Sequence, residues 1–400
     1  MESFMTKRKR VAFFSICFPI YREAVLETLS NHPDIDFEFA SGLVPPGSMM
    51  REASAPGIKR IFIRVLNLHI PGTKYALTWL EGALSSVVFR KYDALVLTND
   101  VLAPYVWMAC LLGPVFRVPI CIWGQGISRP PSAFRDTLRR WLTRLATSAV
   151  YYSEGGRQYW IDRGIQREKL FVAYNALDST LQIRVRDTTT PEHLNEFLAC
   201  EQLENKKTIV CLGRLIALKR PDILVAAVAK LAANDPDVLG IFLGDGPERA
   251  ALEHQAKELG ALAQIRFVGE TYDEKFISKY LMTCKAVLLP AAAGLAIQHA
   301  AVYGAPLVLG DQPGHHLPEQ EIVKHEETGL WCPDSDVEAF AKALSRFIYD
   351  DGFRNKVSIN LKQEIDEKYN TRKMAQGFVD AVQYCLASKA SNAPRTARQE

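Results

Sequence analysis

TIVCLGRLIALKRP, residues 208–221, decides the fold class. The apolar run 208–212 stops at Gly213-Arg214, Lys219 follows, and Pro221 opens a helical pattern with Ile223, Leu224, Ala227, Val228 and Leu231 on one face. A short apolar run, a glycine turn and then a 3.6-residue period read as buried strand, turn and helix, and proline suits a first helical turn. Arg214 and Lys219 then stand where a strand end meets a helix N-terminus. Two cations beside unsatisfied helix N–H groups suit an anion, most naturally a diphosphate. The other reading is a pair of solvated surface cations.

Working outward through the second half, residues 238–243, 264–268, 286–289 and 306–309 read as further parallel strands with helical patterns between them. That makes a Rossmann-like sheet. Gly244-Asp245-Gly246-Pro247-Glu248 turns a strand into a helix. It lacks the G-x-G-x-x-G spacing, and no G-x-x-x-x-G-K-[ST] occurs, so neither a dinucleotide fingerprint nor a P-loop is present. Ser335 and Glu338 read as a capping box, which also explains the D-x-D spelling of Asp334-Ser335-Asp336. Residues 371–386 read as the last helix.

With these motifs in place, the chain resembles a GT-B glycosyltransferase of the family 4 (glycosyltransferases group 1) type. The likeness rests on Gly213, Arg214, Leu215 and Lys219, on GDGPE at 244–248, FVGE at 267–270, GLAIQHAAVYGAPLV at 294–308 and EIVKHEETGL at 321–330. It covers the second half strongly and the first half weakly. The resemblance implies an α/β GT-B fold: two facing Rossmann-like, doubly wound domains with a cleft between them. It implies Arg214 and Lys219 as the catalytic pair on a leaving nucleoside diphosphate, with Gly213, Gly294, Leu295 and His299 binding the donor. The family places two glutamates on the loop and helix around residues 290–306, and here those positions hold Ala291 and His299. One branch of such transferases carries a G-L-x-x-x-H form of this segment, so the change is compatible with activity. His299 could bond ribose hydroxyls through either ring nitrogen, or pack between helices. Glu319 and Glu321, after Gly314-His315-His316, are the nearest acids that could replace the lost sugar contact. Adjacent histidines are not metal-ligand spacing, and no metal is expected as cofactor.

The first half alternates strands and helices, as a doubly wound sheet requires. Strands are expected at 11–15, 37–40, 61–65, 94–98, 120–123 and 169–174, with a helix at 21–29. Arg22 could meet an acceptor phosphate or serve as a helix-start cation. Asp34-Ile35-Asp36 reads as a turn. Trp123-Gly124-Gln125-Gly126 follows a strand, where ligands of open α/β sheets bind. Gln125 is an acceptor-side candidate but no general base, since an amide takes no proton usefully. Glu154 could orient an acceptor hydroxyl or cap a helix. Residues 101–118 read as a buried helix and connection, broken by Pro104, Gly113, Pro114 and Arg117. Residues 133–149, from Ala133 to Ala149, read as a basic amphipathic helix: either core-facing with a solvated basic face, or lying on anionic lipid together with basic residues from Lys7 to Arg10.

Four hundred residues suit two domains, and a net charge of +3 argues against nucleic acid as partner. Eight scattered cysteines without a C-x-x-C favour reduced thiols and a cytoplasmic setting, with peripheral contact at the inner face of the plasma membrane as a further expectation. The polar stretch 185–207 marks a joint that carries a short helix around residues 192–201. The expected divisions are 1–182 for the acceptor-side domain, 183–206 for the joint and 207–365 for the nucleotide-sugar domain. The resemblance implies that a terminal helix at 366–388 returns to the first domain, and 389–400 is expected to form a disordered tail.

The function expected is transfer of a sugar from a nucleotide-diphosphate donor to a hydroxyl of a glycan or lipid-linked acceptor. It is expected to be metal-independent and to serve cell-surface polysaccharide assembly, and the resemblance implies retention at the anomeric carbon. Each cation near the diphosphate is worth about 4 kcal/mol at ~4 Å in a partly screened site, against ~1 kcal/mol in water. The alternative is a catalytically inactive sugar-nucleotide-binding module, which the missing acids favour and the Arg214/Lys219 pair opposes. A sugar-nucleotide epimerase would want paired carboxylates, and no clear pair is visible.

Overall fold

The computed structural model describes residues 8–43, 51–73, 75–126, 132–311, 316 and 318–391. Lys7, Gly314 and His315 lie outside them, as does 392–400 of the expected tail. The chain divides into two units, Met1–Asp178 with Thr371–Glu400, and Ser179–Asn370. Each is described by itself.

The first unit carries β1 (Lys9–Ser15), α1 (Glu23–Ser30), β2 (Ile35–Ser41), β3 (Arg60–Phe62), β4 (Val65–His69), β5 (Ala76–Leu80), α2 (Ala83–Val88) and β6 (Ala94–Thr98). After them come α3 (Pro104–Phe116), β7 (Ile120–Gly124), α4 (Ala133–Leu145), β8 (Ser148–Tyr151), α5 (Glu154–Ile161) and β9 (Leu170–Val172). Seven strands form a parallel sheet in the order β3-β2-β1-β6-β7-β8-β9. Val11 to Phe14 are buried on both faces, as an all-parallel sheet covered on two sides demands. One layer of core joins Phe13, Phe37 and Phe39 to Phe378 of the last helix; the other joins Leu95, Leu97 and Ile122 to Tyr105 and Val106 of α3.

The second unit opens with α6 (Thr180–Thr188) and α7 (Pro191–Cys200), then β10 (Lys207–Leu212), α8 (Asp222–Ala232), β11 (Val238–Leu243), α9 (Arg249–Glu258), β12 (Ile265–Gly269) and α10 (Glu274–Thr283). It continues with β13 (Ala286–Leu289), α11 (Ala296–Val302), β14 (Leu307–Gly310), β15 (Gly329–Cys332), α12 (Val337–Tyr349) and α13 (Asp351–Lys368). Helix α14 (Thr371–Ser391) then belongs to the first unit. The six strands are parallel in the order β12-β11-β10-β13-β14-β15. The chain is therefore α/β with two Rossmann-like sheets. In each, the first strand lies where the order reverses: β1 between β2 and β6, β10 between β11 and β13. A crevice opens at the carboxyl ends there, and that is where such sheets take ligands.

Several local expectations are corrected. Asp34-Ile35-Asp36 is not a turn throughout, because β2 begins at Ile35 and Asp36 pairs with Lys59. The expected strand 61–65 is two elements, β3 in the parallel sheet and β4 in an antiparallel hairpin with β5. The helix expected over 133–149 stops at Leu145, and the apolar Ala149 belongs to β8. By contrast, the short helix expected around residues 192–201 is present as α7, started by a Thr190 cap with Pro191 behind it, and it lies in the second unit. The cap of α12 is Asp336, whose carboxylate accepts from Ala339 N; Ser335 is left at φ +64 and accepts from Arg220. Residues 389–391 continue α14.

Candidate functional site

In the second unit, the loops after β10 and β13 leave adjacent strand ends at the reversal point. Gly213 has φ +113, a conformation that suits glycine, and a Cβ there would lie 2.7 Å from Lys219 Nζ. The ammonium therefore sits directly against the strand end, at the close of the short turn Ala217–Lys219. Burial pushes the Lys219 pKa below the usual lysine value. Arg214, the residue after Gly213, is exposed. Neither pairs with a carboxylate among the described residues. Arg220 is held by Asp222, and Arg249 by Asp245 and Glu253. Among the described residues, two cations without acids therefore follow the end of β10.

GDGPE holds that turn in place. Leu215 N donates to Asp245 O at 2.9 Å, and Glu248 N donates to Leu215 O at 3.2 Å. Cβ atoms on Gly244 and Gly246 would fall 2.1 Å from Gly213 O and 2.2 Å from Leu215 O. The two glycines let one loop run against the other, so the motif fixes where Arg214 and Lys219 stand.

The loop after β13 is built differently. Ala291 is buried, and Ala292 takes φ +45, which an alanine enters only with strain. Gly294, at φ +55, and Leu295 lead into α11. His299 Nε2 lies 2.8 Å from Glu274 Oε1 at the start of α10. The same oxygen accepts from Tyr303 OH at 2.5 Å, and Glu274 Oε2 accepts from Gln182 Nε2 at 3.2 Å. Burial alone would raise the Glu274 pKa, but the hydrogen bonds from His299, Tyr303 and Gln182 bring it below its ordinary value. A carboxylate against Nε2 places the proton on Nε2, so the expectation that either ring nitrogen is available narrows to Nδ1, an acceptor for a hydroxyl. The sequence reading missed Glu274. It stands twenty-five residues before His299, and no periodicity links them.

Glu319 and Glu321 lie on the 3-10 turn Pro318–Ile322, which packs on α11. Glu319 is wholly closed off from solvent, and of the two only Glu321 keeps access. His316 is buried, with Nε2 2.9 Å from Gly310 O and its ring edge-on to Trp331, so it ties down the chain after β14. Among the described residues no three His, Cys, Asp or Glu side chains gather as a metal ion requires.

In the first unit, Gln125 is exposed on the turn after β7, and Gly126 O accepts from the buried Trp160 Nε1 at 2.9 Å. Glu154 is the first residue of α5 and pairs with Arg157; the cap is Ser153, whose Oγ accepts from Gly156 N at 3.1 Å. Arg22 is buried. It donates to Asn175 and to Met374 Sδ, between the rings of Tyr21 and Tyr152, and this is the work of a structural arginine. Asn99 went unread. It follows β6 beside Gly124, and both ends of its amide are buried without a partner among the described residues. A polar residue at a strand's carboxyl end was the signal available, the same one that singled out Gln125.

Residues 198–364 match the family model described as glycosyl transferases group 1. Residues 198–364 are thus similar to a glycosyl transferases group 1 domain. A 2-deoxystreptamine N-acetyl-D-glucosaminyltransferase of Niallia circulans is 28% identical over 214 residues, 50% of this chain and 54% of that protein. A lipopolysaccharide core biosynthesis glycosyltransferase of Rhizobium meliloti is 26% identical over 45% of this chain and 50% of its own length. The chain thus spans about half the length of these curated relatives. Among solved structures, Anabaena Alr3699/HepE in complex with UDP aligns at TM-score 0.68 and 18% identity, over 94% of this chain and 99% of that one. The matched residues thus sit in a chain of GT-B fold, and they include the loops that carry Arg214, Lys219, Gly294 and His299.

Proposed function

We propose that the protein is a glycosyltransferase that moves a sugar from a nucleotide-diphosphate donor to a hydroxyl of a glycan or lipid-linked acceptor. The observation that carries this reading is the pair Arg214 and Lys219, two cations without acids at the carboxyl end of the central strand β10. Departure of a nucleoside diphosphate builds negative charge at such a place, and preorganised cations lower that barrier without a metal. Gly213 and the backbone of Gly294 and Leu295 would complete the phosphate contacts, His299 Nδ1 would accept from a ribose hydroxyl, and Glu321 is the acid left to meet the sugar. Asn99 joins Gln125 and Glu154 as acceptor-side groups. UDP and UDP-glucose in the HepE structures support a sugar nucleotide as donor. A curated relative in lipopolysaccharide core biosynthesis supports polysaccharide assembly as the setting, and retention at the anomeric carbon is part of the proposal. Peripheral membrane contact through the helix that starts at Ala133, from the cytoplasmic side, would suit a lipid-linked acceptor.

The test is a screen of UDP-, GDP- and ADP-sugars against a lipid-linked acceptor extract, read by mass spectrometry. A glycosylated product from one donor is the expected result. Tight nucleotide binding with no product from any donor would turn the assignment to an inactive sugar-nucleotide-binding module.

A further inference from the structure

Helices α3 and α4 are neighbours in the first unit, and both turn apolar side chains to solvent. The sequence reading took α3 as buried. Its outer face is not: Leu111 is 56% and Val115 69% exposed, with Met108 beside them, and the whole helix PYVWMACLLGPVF has no charged residue. On α4, Phe134 is 73% and Trp141 55% exposed, and with Leu145 they fall at i, i+7 and i+11, one stripe of the helix. A different flank of α4 carries Asp136 and Arg140, which with Tyr159 and Arg163 of the α5 segment line a groove of about 450 Å³. Arg140 Nε is buried with no acceptor among the described residues. Arg144 lies over the Trp141 ring at 5.6 Å, and Arg163 over Tyr159 at 3.4 Å. Among the described residues no helix is long and apolar enough to cross a membrane.

We propose that this face lies on an anionic lipid bilayer: Leu111, Val115, Phe134 and Trp141 enter the acyl boundary, while Arg140, Arg144 and Arg163 meet lipid phosphates. An apolar stripe with a tryptophan and an arginine rim is what an interfacial surface requires, and guanidinium groups suit phosphate oxygens. Charge selects the bilayer over a second copy of the chain. Helix α4 holds four arginines and one acid, and that acid is already engaged: Asp136 accepts from Tyr159 OH at 2.7 Å and lies 3.6 Å from Arg139. Two such faces packed together would set arginine against arginine with no carboxylate to receive it. The proposal extends the membrane contact suggested above from one helix to two helices and a groove. It is independent of the transferase chemistry.

The experiment is flotation of the full-length protein with vesicles of phosphatidylcholine, with and without phosphatidylglycerol, at low and high salt. The wild type is expected to float with the anionic vesicles only, and less at high salt. One basic residue near the surface is worth about fivefold in partition, so Arg140→Glu with Arg163→Glu should lower it by ~tenfold or more. Leu111→Asp and Trp141→Asp, and the milder Trp141→Gln if either fails to fold, should weaken it similarly. Their thermal midpoints and nucleotide affinity should match the wild type. Wild-type protein that ignores anionic vesicles overturns the proposal, as does undiminished flotation of the folded variants. Light scattering that shows a dimer split by Trp141→Asp, with no vesicle binding, also overturns it. Nucleotide binding on the same preparations keeps this outcome separate from failure of the transferase reading.

Discussion

The loops after β10 and β13 leave neighbouring strands of one sheet, yet they are held by opposite means. The first is fixed by backbone: glycines at 213, 244 and 246 let two turns run in contact, and Arg214 and Lys219 follow Gly213 with no acid paired to either among the described residues. The second is fixed by side chains: Ala292 is strained, and His299 is clamped by Glu274, Tyr303 and Gln182. A backbone device needs particular residues at particular spacings, and a side-chain device can be assembled from anywhere in the unit. The β10 loop should therefore fail sharply on substitution, while the β13 loop should degrade by degrees.

The largest expected effect is on turnover. Arg214→Ala or Lys219→Ala should lower kcat by about 10²–10³, the range for removing one group that stabilises developing charge. A fall of less than tenfold in both would make them surface cations. Lys219 also has a sign in stability. Its folded pKa lies below the unfolded value of about 10.4, so the native state binds fewer protons and stability rises with pH through that window. At neutral pH the buried ammonium is a cost, and Lys219→Met should raise the thermal midpoint while turnover is lost.

Next comes Gly246→Ala. Its methyl would sit 2.2 Å from Leu215 O, and the loop must move. Destabilisation of about 2–3 kcal/mol in urea unfolding is expected, with loss of nucleotide affinity. Unchanged stability would show that the two loops are not held in contact.

Glu274→Gln should act more gently, raising the donor KM about tenfold with kcat nearly kept, because it frees the His299 ring without removing it. The depressed Glu274 pKa adds stability that is present above the unfolded value of about 4.3 and is lost as pH falls through the folded one. Urea midpoints between pH 6 and 3 should fall more steeply for wild type than for Glu274→Gln. Parallel curves would remove Glu274 from the account.

The smallest effect is Ala292→Gly. Relief at φ +45 should outweigh the added chain entropy and raise stability by about 0.5–1 kcal/mol. A loss instead would place the strain elsewhere.

The same contrast explains what could be read before the structure. Residues 208–212, 238–243 and 286–289 announce themselves as buried strands by composition, and β11 and β13 fall on the expected residues. Strand β15 was missed because GLWC is four residues long and carries no period. The β3/β4 division was missed because apolar residues continue through both. Arg214 and Lys219 were legible because their motif is local. Glu274, Asn99 and the exposed face of α3 were not, since each depends on what the fold brings near or leaves uncovered, and an apolar helix reads alike whether it faces a core or a solvent boundary.

The central claim is that Arg214 and Lys219 grip a diphosphate. Calorimetric titration of a nucleoside diphosphate and the matching monophosphate into wild type and the Arg214→Ala/Lys219→Ala variant tests it most directly. The account predicts that the wild type favours the diphosphate and that the preference disappears in the variant while its thermal midpoint is kept. A folded variant that still prefers the diphosphate to the same degree would contradict it.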